Sequence, residues 1–119
     1  LSTVLEGGLL LATIGCVLAN AFEVAAKVMR AQFVIQNATE AGVERKWIPH
    51  LAVLEGAGTA GLVLGLFGMR PIGLAAAVGL VLFFVGAVGA HIRARVFHNI
   101  AFPAVFLCLA IAALVHFAT

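Results

Sequence analysis

The sequence predicts an all-α membrane protein, an antiparallel four-helix transmembrane bundle, on three observations. Of 119 residues, 64% are hydrophobic and only 10% are charged, and the mean hydropathy is +1.19. A soluble domain so poor in charge would precipitate. The stretch from Pro71 to Ala90, PIGLAAAVGLVLFFVGAVGA, is an unbroken apolar run about as long as a bilayer's hydrocarbon core is thick. Three further stretches nearly as apolar surround it, divided by charges and turn residues.

The expected spans are 4–29, 47–67, 71–92 and 99–117, together one domain over residues 1–119. Each holds about 20 residues or more, which at the helical rise is enough to cross a membrane. The first has an N-terminal block without Lys or Arg and with Glu6 where a signal peptide carries positive charge, so it reads as a span. The second and third are joined by Gly68-Met69-Arg70-Pro71, with Pro71 suited to a first helical turn. So short a link makes those helices antiparallel neighbours. Residues 93–98 join the third to the fourth, where Pro103 falls early enough to cost little. The remaining link, Arg30 to Lys46, is longer. Its middle, AQFVIQNATEAG, is expected to prolong the first helix beyond the membrane and to stop at Gly42.

Charge placement orients the bundle. Lys27, Arg30, Arg45, Lys46, Arg93 and Arg95 lie at the end shared by the first and third links, and Arg70 alone at the other. The positive-inside rule then puts those links in the cytoplasm and both termini outside, for a multi-pass protein of the inner membrane. Trp47 is placed as an interfacial anchor. A formal charge of +2 and no basic run longer than Arg45-Lys46 argue against a nucleic-acid partner.

Small residues mark where helices meet. Gly58, Gly61 and Gly65 recur in the second span at three- and four-residue spacing, and Gly61 to Gly65 matches GxxxG. In the third span Gly79, Gly86 and Ala90 are expected to form a similar packing stripe, with Gly73 and Ala76 beside it. In lipid no solvent drives helices together, so close backbone approach is how such faces gain packing energy.

The polar groups inside the spans carry any function. Asn20, Glu23 and Lys27 fall at i, i+3 and i+7 on one face of the first helix, and Glu23 precedes Lys27 in the favourable acid-before-base order. Glu55 lies seven residues into the second span, about 10 Å below Ile48 at the helical rise. His91 closes the third span and Asn99 opens the fourth. All six share a similar depth near the cytoplasmic end and are expected to form a polar pocket, because an ionised group alone in lipid is expensive. The structural alternative is an ion pair of Lys27 with Glu55 or Glu23 that holds the first two spans in register. Cys16 and Cys108 sit inside apolar spans without a CxxC, and the thiols read as structural. His50, His98 and His116 lack an i,i+4 partner, which argues against a metal or a bis-histidine haem. The Asn37-Ala38-Thr39 sequon falls on the cytoplasmic side and is read as meaningless.

The run from Trp47 to Phe117 resembles the DoxX-like bacterial membrane proteins, through WIPHLAVLEGAGTAGLVLGL, PIGLAAAVGLVLFFVGAVGAHIRAR and HNIAFPAVFLCLAIAALV. Ala25 to Lys27 looks like that family's lysine at the end of the first helix, and Glu55 like its helix-two acid. Glu23 and Asn20 depart from the pattern. The resemblance implies a four-helix membrane fold and, for some members, a link to oxidoreductase systems, including quinone-reducing thiosulfate oxidation and a membrane complex with superoxide dismutase and a sulfurtransferase. The expected function is a non-catalytic subunit or anchor in the lipid bilayer that binds a membrane protein partner or a quinone or other lipid-like ligand, with homo-oligomerisation open. The alternative is a small membrane enzyme on an apolar substrate with Glu55 or Glu23 as acid or base. No cofactor is specified by the residues.

Overall fold

The computed structural model describes residues 2–119. It contains α1 (Thr3–Val28), α2 (Gln32–Glu40), α3 (Ile48–Leu66), α4 (Arg70–Arg93) and α5 (Ala101–Ala118), with a 3-10 turn at Arg45–Trp47 leading into α3. Four of these, counting the turn with α3, are long and apolar enough to cross a membrane. Their ends lie within two residues of the spans read from the sequence. Among the described residues there is no strand.

The four long helices stand in a ring in which α1 packs on α3 and α5, and α4 packs on the same two. α1 and α4 are therefore diagonal. The bundle measures 42 × 24 × 18 Å, and its core joins Cys16, Leu62, Leu80, Phe84, Ala110 and Phe117. Large apolar side chains such as Leu11, Leu18, Val53, Leu82 and Phe102 point outward and are exposed. In water that belt would be a liability, whereas in lipid it is the solvated surface.

The seam between α3 and α4 is built from missing side chains. A Cβ placed on Gly58 would lie 2.8 Å from Leu80, one on Gly61 2.5 Å from the Ala76 Cβ, and one on Gly65 2.5 Å from the Gly73 Cα. The stripe expected on α4 through Gly79 and Gly86 is corrected: a Cβ on either would meet nothing within 4 Å. The packed face instead runs through Gly73, Ala77, Leu80 and Phe84, at i, i+4, i+7 and i+11. Gly79 is one residue, or about 100°, away from Leu80 around the helix and faces outward. At the far end the Phe117 ring lies against both Gly65 and Gly73, and the Arg70 Nε donates to the Phe117 carbonyl at 2.8 Å.

All four inter-helix links begin with the same closure. After α1 the Ala31 N–H donates to the Ala26 carbonyl and the Arg30 N–H to that of Lys27, with Arg30 at φ 55°. Arg95 (φ 56°) repeats this after α4, Gly42 (φ 81°) after α2 and Gly68 (φ 110°) after α3. These are Schellman closures, which put one residue into the left-handed region.

The expected continuation of α1 through AQFVIQNATEAG is also corrected. The chain breaks at Arg30 and restarts as a separate helix, α2, which ends just before Gly42. Its apolar stripe supplies the reason: Val34, Ile35 and Ala38 recur at helical spacing and pack back on Ala26 and Ile48. A straight extension would leave that stripe in water.

Candidate functional site

The polar layer begins on the inward face of α1. Asn20 and Cys16 are wholly buried there, one turn apart, and the Asn20 Nδ2 donates to the Cys16 carbonyl at 2.8 Å and reaches its Sγ at 3.4 Å. A polar side chain that bonds to its own helix one turn back needs no partner on another helix to be tolerated. Thr13 does the same with the Leu9 carbonyl, and Thr59 on α3 with that of Glu55.

One turn beyond Asn20 the two helices are joined by charge. The Lys27 Nζ lies 2.7 Å from the Glu55 Oε1 and 3.4 Å from the Glu23 Oε2. Exposure grades across the cluster: the Glu55 side chain is 0% exposed, that of Lys27 13% and that of Glu23 25%. The cluster is therefore deepest at Glu55 and nearest the exterior at Glu23. With all three groups ionised it carries one net negative charge. Two of its neighbouring acceptors have nothing to accept from, because the Glu55 Oε2 and the Asn20 Oδ1 are buried and without a hydrogen-bond partner. Most buried polar atoms in folded proteins are satisfied, so each exception calls for a reason.

The six residues expected to form a pocket are thus divided by the fold. Glu23, Lys27 and Glu55 touch. Asn20 lies one turn below Glu23 on the same helix. His91 directs its Nδ1 to the Ala87 carbonyl of its own helix at 2.9 Å. Asn99 turns to α2, where its Nδ2 donates to the Asn37 Oδ1 at 3.1 Å, while its own Oδ1 is buried without a partner. Equal depth brought all six to one end of the bundle, but direction around each helix decided which of them meet.

Sequence reasoning gave Asn37 and His98 no positive role and did not single out Glu40. The His98 Nε2 lies 2.7 Å from the Glu40 Oε2, so two side-chain pairs fasten α2 to the link between α4 and α5. The signal was the i,i+3 spacing of Asn37 and Glu40 on the polar side of an amphipathic nine-residue helix. Among the described residues no three or more His, Cys, Asp or Glu side chains converge on a point that would hold a metal ion.

A ring of apolar helices with an ion cluster buried at one end defines a small multi-pass α-helical membrane protein. The chain belongs to the DoxX-like family, whose profile matches residues 11–113 and so takes in the second and third spans, most of the first and fourth, and the Glu23–Lys27–Glu55 cluster. No curated protein and no solved structure matches it.

Proposed function

We propose that this chain is a non-catalytic membrane subunit, folded as one domain, that holds a quinone or other lipid-like molecule through the layer of Asn20, Lys27 and Glu55. The observation that carries the reading is the unpartnered Glu55 Oε2, wholly buried on a residue whose other oxygen is bound by Lys27. A purely structural ion pair requires the Oε1 contact and leaves the second oxygen without a purpose, since stranding a buried charged acceptor costs stability. A head group that carries a hydrogen-bond donor, such as the hydroxyl of a reduced quinone, would satisfy that oxygen, and the Lys27 ammonium, with two of its three protons directed at carboxylates, would hold Glu55 in place. The surrounding apolar helices suit a ligand that arrives from the bilayer.

In this reading the links 29–47 and 94–100 face the cytoplasm and both termini face outward across the inner membrane, in keeping with the distribution of Lys and Arg. The experiment is native mass spectrometry of the detergent-purified chain beside Glu55→Gln, which preserves volume and removes the charge. The expected result is a small-molecule adduct on the wild type that the variant loses. A wild-type chain that carries no adduct overturns the proposal.

A further inference from the structure

We propose that α2 is a lid over the Glu23 side of the ion cluster, and that the pairs Asn37–Asn99 and Glu40–His98 are its latch. The inference rests on the reading of the Glu55 layer as a binding place and adds how that place is entered.

α2 is positioned by contacts with α1 at the level of Glu23. The Phe33 ring stacks on Phe22 of α1 with centroids 6.3 Å apart and planes 11° from parallel. Val34 packs on Ala26, four residues further along α1, and on Ile48 at the head of α3. Phe22 and Ala26 flank Glu23, the member of the cluster nearest the exterior, along the axis of α1. From them α2 runs across to Asn99 and His98 of the link between α4 and α5, over the end of the bundle that holds the cluster. The helix therefore lies against the stretch of α1 where the cluster approaches the surface.

What holds α2 down is slight. Its apolar footing is one small cluster, in which Ala31, Ile35 and Ala38 pack against the buried Ala26, Val34 and Ile48, set beside the larger continuous core of the four spans. Segments with so little buried apolar contact open at low free-energy cost. The Phe22–Phe33 stack and the two polar pairs supply the remainder, and the Glu40–His98 pair is exposed enough to exchange for water, with the His98 side chain 67% exposed. The unpartnered Asn99 Oδ1 beside that latch leaves part of its hydrogen-bonding capacity unused. Both ends of α2 have a pivot built in, because Arg30 before it and Gly42 after it sit in the left-handed region. The helix can rotate as a unit without unwinding either neighbour.

The test requires no knowledge of the ligand. In a chain carrying Cys108→Ala, Glu40→Cys and His98→Cys, a reducible bis-methanethiosulfonate crosslinker ties the lid shut, and reduction releases it. The readout is the rate at which a water-soluble carbodiimide modifies Glu55, followed by peptide mass spectrometry, with exposed Glu6 at the opposite end as internal control. The tied form is expected to react about tenfold more slowly than the released form, and Asn37→Ala/Asn99→Ala to react several-fold faster than its parent, with Glu6 unchanged throughout. Equal Glu55 rates in the tied and released forms overturn the proposal. So does a released form in which Glu55 never reacts. Either result leaves ligand binding at Glu55 to be decided by the adduct measurement, so the two ideas fail separately.

Discussion

Gly65 of α3 and Gly73 of α4 approach so closely that a Cβ built on the first would lie 2.5 Å from the Cα of the second. The neighbour at that distance is backbone, which cannot swing aside as a side chain can. Gly65→Ala and Gly73→Ala are each expected to lower stability by about 1–3 kcal/mol through overpacking. Gly79→Ala and Gly86→Ala, with open space around the added methyl, should stay within about 0.5 kcal/mol of wild type. Unfolding by titration with sodium dodecyl sulfate, followed by circular dichroism, separates the pairs. Equal losses at all four positions would refute this assignment of faces.

Lys27→Met leaves the wholly buried Glu55 without its cation. The expected loss is about 3–5 kcal/mol, the usual result of breaking one side of a buried ion pair. The double variant Lys27→Met/Glu55→Met removes both charges and should recover most of that loss, because the penalty belongs to the stranded partner. Additive losses in the double-mutant cycle would mean that the two side chains do not couple.

Arg30 and Arg95 occupy left-handed positions that glycine fills more readily. Arg30→Gly and Arg95→Gly are expected to raise stability by about 1 kcal/mol each, whereas Gly68→Ala at φ 110° should lower it by about the same amount or more. Thermal unfolding in one detergent reports both signs. Destabilisation by Arg30→Gly would show that its side chain contributes more than its backbone strain costs.

The proposed orientation predicts that alkaline phosphatase fused after Thr119 is active and that a fluorescent protein fused there is dark. Reporters placed in the link between α4 and α5 should behave oppositely. Four spans put both termini on one side, so the reverse pattern, a bright fluorescent protein after Thr119 and an active phosphatase in the link, would overturn the orientation.

Much of this architecture was legible because length and polarity determine it. Four apolar runs of spanning length give four helices, and the i, i+3, i+7 spacing of Asn20, Glu23 and Lys27 places them on one face of α1. Gly58, Gly61 and Gly65 were legible for the same reason. Gly79 and Gly86 were misread because α4 is apolar all round: when lipid and protein are both apolar solvents, periodicity alone does not say which of two small-residue stripes meets another helix. The break before α2 was hidden because its pivot is an arginine, and the left-handed position that glycine would advertise carries no such mark. His91 and Asn99 share the depth of Glu55 yet form their bonds elsewhere. Depth follows from counting residues, whereas direction depends on how the helices are rotated against their neighbours.

The contact of Phe117 with Gly65 and Gly73, reinforced by Arg70, has a consequence for biosynthesis. α3 and α4 leave the ribosome as a hairpin whose seam lacks its covering ring until α5 has been made and inserted. During that interval the seam is open to lipid, or to a neighbouring copy of the same hairpin. Completion of the bundle is therefore tied to the last turn of its fourth span, and a chain shortened before Phe117 should be recognised by quality-control proteases as an unfinished membrane protein although every span is present.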